Sequence, residues 1–120
     1  MPAADTTWSL DDDALAPGQS ARFRLRRPDG SLDGPLDGFV VNVGGVLHAY
    51  VNRCPHAGTA LDLLREGFLG EDGRYIVCSR HGAVFTPETG VCVEGPCPGA
   101  RLERLPISRA GRRVIVSCPT

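Results

Sequence analysis

Two short stretches carry the residues with the most chemistry in this chain. The first is NRCPHAG, residues 52–58, where one residue separates Cys54 from His56. The second is YIVCSRHGAVF, residues 75–85, where two residues separate Cys78 from His81. Thiolate and neutral imidazole are both good ligands for borderline-soft metals. The 21 residues between His56 and Cys78 are enough for the chain to leave and return. A single such pair would read as a polar loop histidine beside a core cysteine; two pairs, each beside a strand end, point to a metal. Zinc fingers group like ligands, Cys with Cys and His with His. Here each loop supplies one of each, which suits two unlike metal atoms: Cys54 with Cys78 on one, His56 with His81 on the other. A [2Fe-2S] unit with two Cys on one iron and two His on the other has this arrangement. A structural zinc module is the alternative.

These side chains must be carried by short strands. GFVVNVGGVLHAYVN holds two β-rich runs around Gly44–Gly45, a strong hairpin signal. GRYIVC, GAVF and GVCVEG each give a further short strand, and LERLPISRAGRRVIVSC reads as a second hairpin turning at Ala110–Gly111. Near the start, a turn at Pro17–Gly18 precedes a strand around Ala21–Leu25. The one helix-like piece is around Ala60–Arg65. Fifteen Gly and ten Pro break the rest at close intervals, so the expected class is all-β, an antiparallel sandwich or barrel of short strands. At 120 residues the chain makes one domain. We expect a loose tail over residues 1–7 and the domain over 8–120.

Charge and composition exclude several functions. The formal net charge of −1 gives no reason to expect nucleic acid, and all 13 basic residues are Arg, which reads as compositional bias. No apolar run approaches the length that spans a bilayer, and no export signal is visible. Five cysteines, an odd number, argue against a complete disulfide framework. Together these features point to the cytoplasm. Cys92 and Cys118 read as small core hydrophobes, and Cys97 lies in a loop near the second ligand pair. His48, in the alternating strand VLHAYV, reads as a structural histidine with its hydrogen bonds satisfied. Asp11–Asp13 reads as a solvated turn.

The pattern CPH followed by CSRHG resembles the C-x-H … C-x2-H signature of the Rieske family. It continues with Phe85, Thr89–Gly90 and Gly95–Pro96, and the likeness runs from about Trp8 to Val116. HAYVNRCPHAGTAL and EGPCPGARLERLPI also look like the flanking segments of soluble ferredoxins in that family. Ser79 stands where many members carry Pro. The resemblance implies an antiparallel β-sandwich with a small cluster-binding subdomain formed by the two Cys/His loops. It implies one [2Fe-2S] cluster per chain, with Cys54 and Cys78 on the inner iron and His56 and His81 on the outer. Gly95–Pro96 matches the family's third loop, which covers the cluster. At Gly58 and Gly82 a side chain would crowd the cluster or force an unfavourable backbone angle.

The same resemblance speaks to potential. High-potential members carry an extra Cys in each ligand loop, joined as a disulfide, where this chain has Thr59 and Arg80. They also place a Ser and a Tyr, whose hydroxyls donate to cluster sulfurs, where this chain has Ala83 and Phe85. A potential in the lower half of the Rieske window is therefore expected. With His56 and His81 committed, one histidine remains, too few for the two-His-one-carboxylate iron site of an oxygenase. The implied function is a soluble one-electron carrier, without bond chemistry of its own. Its implied partners are a flavin-containing reductase and a terminal, aromatic-ring oxygenase. The alternative is a small subunit of a larger oxidoreductase, resembling that of assimilatory nitrite reductase.

Overall fold

In the computed structural model, residues 6–27, 36–55, 58, 60–62, 67–79, 82–96 and 98–118 are described. Their strands are β1 (Thr7–Asp11), β2 (Ser20–Leu25), β3 (Leu36–Val43), β4 (Val46–Val51), β5 (Ile76–Val77), β6 (Val84–Phe85), β7 (Cys92–Glu94), β8 (Ile107–Ala110) and β9 (Arg113–Ser117). They form three antiparallel three-stranded sheets, ordered β1-β9-β8, β2-β3-β4 and β5-β6-β7. The all-β antiparallel class expected from the turn spacing is what the chain adopts.

The period of two along a strand explains how the sheets stack. On β3, Val40 and Leu36 join an apolar cluster with Leu10, Val114 and Val116 of the β1-β9-β8 sheet. Phe39 and Val41 point the other way, into a second cluster with Ile76, Phe85 and Cys92 of the β5-β6-β7 sheet. β4 divides likewise, Leu47 and Ala49 to the first cluster and Tyr50 to the second. The β2-β3-β4 sheet is thus the middle layer, and its central strand β3 is buried on both faces, which is why FVV reads as an unbroken apolar run. Phe39 stacks on Phe68 with centroids 4.2 Å apart, and Trp8 stacks on Phe23 at 4.7 Å.

Several local expectations need correction. The second hairpin turns at Gly111–Arg112, one residue later than expected, because Ala110 pairs with Arg113. Strand β1 begins at Thr7, which pairs with Ser117, so the last residue of the expected tail is already in the sheet. Leu61 and Asp62 form a turn, and the rest of the expected helical piece, residues 63–65, lies outside the described residues. Among the described residues no helix is long and apolar enough to cross a membrane. Asp11 is strand, not turn, and its carboxylate pairs with Arg113 at 3.1 Å, while Asp13 pairs with Arg112 at 3.1 Å. Both pairs are exposed and contribute little to stability.

His48 also departs from expectation. It is buried, yet its Nδ1 has no hydrogen-bond partner among the described residues. Burial lowers its pKa below 6.5, the nearby Arg104 charge lowers it further, and Glu88 opposes both. The fold therefore holds the neutral imidazole. His48 contributes its full share of stability above about pH 6.5, where folded and unfolded chains are both neutral. That share is lost as pH falls below 6.5, because the unfolded chain takes up a proton that the folded chain refuses. The unfolding midpoint should therefore drop as pH falls below 6.5, in part through this group. His48→Gln should flatten that slope, and an unchanged slope would assign the drop to carboxylates instead.

Candidate metal centre

The two Cys/His loops leave strands β4 and β5 and are closed by the same backbone hydrogen bond. The carbonyl of Cys54 accepts a hydrogen bond from the Gly58 amide at 2.7 Å, and that of Cys78 accepts one from the Gly82 amide at 3.0 Å. Each turn therefore spans five residues, and both glycines sit at φ +70°. That angle lies in the left-handed region, where a Cβ meets its own backbone. No described protein atom crowds Gly82, and only the Arg53 side chain, 3.8 Å away, approaches Gly58. Of the two reasons expected for these glycines, the backbone angle is the one visible in the protein.

Both cysteines are fully buried at the base of their turns, Cys54 at 0% and Cys78 at 1% exposure. They share one apolar cluster with Leu61, Phe68, Ala83, Phe85 and Cys92. Among the described residues Cys54, Cys78, Cys92 and Cys118 form no disulfide. His56 and His81 lie outside the described residues, as do Thr59, Arg80 and Cys97. No third His, Cys, Asp or Glu among the described residues completes a set with the two cysteines. In sequence, His56 lies two residues after Cys54 and His81 three after Cys78.

Ala83 and Phe85 are both fully buried, and Phe85 pairs with Ile76 and with Cys92 in the β5-β6-β7 sheet. The Ala83 carbonyl accepts from the Cys78 amide at 2.9 Å, so this residue is tied directly to a loop cysteine. Gly95, at φ +102°, lies so close that an added Cβ would fall 2.7 Å from the Ala83 Cα. Gly95–Pro96 is therefore a third loop, resting on the second through Ala83, with both of its residues exposed. Cys92 and Cys118 are buried, with their thiols donating to the carbonyls of Glu94 and Arg26, as expected of core cysteines.

Sequence reasoning missed a polar group behind the first loop. Asn52, 5% exposed, accepts a hydrogen bond at Oδ1 from the Leu61 amide at 2.8 Å. Its Nδ2 donates to Asp62 Oδ1 at 3.1 Å and to Asp37 Oδ2 at 3.3 Å. Arg22 spans the two carboxylates, with Nε and Nη2 on Asp37 at 3.0 and 2.6 Å and Nη1 on Asp62 at 3.3 Å. The hydrogen bond to Asp37 holds the guanidinium pKa above its ordinary value. The available signal was Asn52 itself, a residue able to both donate and accept, two places before Cys54. Its partners lie 9 to 15 residues away and cannot be read locally.

Comparison with known proteins gives a consistent picture. The chain is 38% identical over 76 residues to the ferredoxin component of biphenyl 2,3-dioxygenase from Rhodococcus jostii. That match covers 63% of this chain and 59% of the relative, so it spans about three-fifths of that protein's length. The solved ferredoxin of carbazole 1,9a-dioxygenase from Nocardioides aromaticivorans superposes with a TM-score of 0.68 at 25% identity, covering 92% of this chain and 94% of that one. A chain in the reduced complex between oxygenase and ferredoxin of carbazole 1,9a-dioxygenase shares the fold, with a TM-score of 0.71 at 19% identity. That match covers 96% of this chain and 29% of that one. The family model of the Rieske [2Fe-2S] domain matches residues 13–114. Spanning most of the chain, with strands β2 to β8 complete, that match settles the family: the chain belongs to the Rieske [2Fe-2S] domain proteins.

Proposed function

We propose that this chain is a one-electron carrier that holds its [2Fe-2S] cluster through Cys54, His56, Cys78 and His81. It would receive electrons from a flavin-containing reductase and pass them to a terminal oxygenase acting on aromatic rings, in the cytoplasm. The observation that carries the reading is the pair of matching turns with a buried cysteine at each base, in a chain similar to a dioxygenase ferredoxin component. The residues present fit the cofactor of the family. Two buried thiols in one apolar cluster are the donor chemistry that the all-thiolate iron requires. An odd cysteine count suits a reducing compartment.

When bound, the cluster supplies reversible uptake of one electron. The chain's own residues set how easily that occurs. Leu61, Phe68, Ala83 and Phe85 exclude water around the cysteines, and a low-dielectric surrounding disfavours the more negative, reduced form. Neither Ala83 nor Phe85 offers a side-chain donor to offset this. The midpoint should lie in the lower half of a window of roughly −150 to +300 mV.

The test is an EPR-monitored titration, followed by mixing the reduced protein with the oxygenase component of an aromatic-ring dioxygenase. A Rieske-type signal with re-oxidation by that component is expected. A midpoint above roughly +100 mV would refute the tuning. A colourless protein containing stoichiometric zinc would refute the function. In the same titration Ala83→Ser and Phe85→Tyr should each raise the potential. A hydroxyl that binds the reduced form better by about 1 kcal/mol shifts it by roughly 40 mV. Unchanged midpoints in both variants would show that the missing hydroxyls do not set the potential.

A further inference from the structure

The two cysteines come from separate loops, so something other than local chain geometry must fix their separation. Leu61 stands between the loops. Its amide donates to Asn52 Oδ1, and its carbonyl accepts from the Ser79 amide at 2.8 Å. Asn52 precedes Cys54 by two residues and Ser79 follows Cys78 by one. Two hydrogen bonds on one residue thus join the base of the first turn to the second. Leu61 is fully buried in the apolar cluster that holds both cysteines, so it cannot shift without disturbing them.

Asn52 is in turn held by the middle sheet. Its amide donates to the Asp37 carbonyl at 2.8 Å, and its carboxamide donates to the side chains of Asp37 and Asp62. Two carboxylates so close together would repel one another, but Arg22 bridges them from the sheet's outer strand. A buried carboxamide with its acceptor and both donor contacts filled has a single orientation, because any other leaves a polar atom unpaired at a cost of about 1–3 kcal/mol.

We infer that Asn52, oriented by Asp37, Asp62 and Arg22, is a positioning residue that sets the spacing between Cys54 and Cys78 through Leu61. This rests on the reading of those cysteines as cluster ligands. The group reaches the cysteines through the backbone of Leu61 and Ser79. Its effect on a cluster should therefore appear in retention and electronic structure.

The test uses the holoprotein. Asn52→Asp keeps the acceptor for Leu61 but removes both donors and adds a third carboxylate; Asn52→Ala removes everything. Both should lose cluster colour to a ferrous chelator about ten-fold faster than wild type, with a shifted EPR spectrum. Arg22→Gln changes an exposed side chain that leaves the core intact, and should accelerate loss by up to about five-fold. It keeps the inference testable if the Asn52 variants fail to fold. Arg113→Gln, which breaks an exposed pair in the far sheet, should change neither readout.

A merely structural role would lower the unfolding midpoint while leaving the EPR spectrum as in wild type, and that result overturns the inference. Wild-type release rates in Asn52→Asp and Arg22→Gln overturn it too. Failure of the ligand reading looks different: the wild-type protein would then hold no cluster, or would keep one after loss of Cys54 or Cys78.

Discussion

Cys54→Ala and Cys78→Ala should each yield a protein without the cluster, colourless and without a Rieske-type EPR signal, whereas Cys92→Ser and Cys118→Ser should keep full iron. All four cysteines are buried, so burial does not separate them. Position does. Cys54 and Cys78 each open a five-residue turn that ends on a left-handed glycine. Cys92 sits within β7 and Cys118 follows β9, each with its thiol spent on a nearby carbonyl. His56→Ala and His81→Ala should also lose iron, since a two-iron unit with one iron stripped of a ligand is not retained. The measurement is iron and sulfide per chain in freshly purified protein. Full iron in Cys78→Ala, or iron lost from Cys118→Ser, would break the ligand assignment. Because ligand binding couples to folding, the two Cys→Ala proteins should also melt at lower temperature than Cys118→Ser.

Gly95→Ala should damage the protein nearly as severely, although it removes no ligand. Two costs combine. A Cβ at φ +102° strains the backbone by about 1–2 kcal/mol. The same Cβ would stand 2.7 Å from the Ala83 Cα and 3.2 Å from its nitrogen, and backbone cannot swing aside as a side chain can. Overpacking of this kind costs about 1–3 kcal/mol more. A displaced Ala83 also pulls on Cys78, whose amide donates to the Ala83 carbonyl. The holoprotein should therefore melt about 10 °C lower and lose its cluster faster. Gly99→Ala provides the comparison. Gly99 is at φ +87° with no described protein atom within 4 Å of an added Cβ, so among the described residues it meets the backbone cost alone. Equal melting temperatures for the two variants would mean that the third loop does not bear on the second.

The parts of this structure legible in the sequence are those written in local spacing. VNVGGVL shows its hairpin because turn and flanking strands lie within a few residues, and the Cys-His spacings show the family signature for the same reason. The Ala110–Gly111 turn was misplaced by one residue because RAGRR offers two registers for one glycine, and only pairing with β1 decides between them. His48 appeared satisfied because alternation says which face a side chain takes, not what awaits it there. Asn52 stood inside the stretch that first drew notice, yet its role was invisible. Its partners come from β3 and from the far side of the loop, and hydrogen bonds over such separations leave no periodic trace.

The route of the chain around the middle layer has a further consequence. After β4 the backbone leaves for the ligand loops and the β5-β6-β7 sheet, then returns to where it left. Val51 donates to the Glu103 carbonyl at 2.8 Å, Leu105 donates to that of Ala49 at 2.9 Å, and Tyr50 bridges Arg104. The redox-bearing part is thus an insertion closed at its neck by the edge of β4. Closing such a loop costs entropy that grows only with the logarithm of its length, about 0.6 kcal/mol per doubling. Residues added to exposed turns between Asn52 and Leu102 therefore add little closure entropy, provided that the buried cluster shared with Phe39 and Tyr50 stays intact. The same base can carry insertions of different length and surface, which leaves partner choice free to diverge while the scaffold stays as it is.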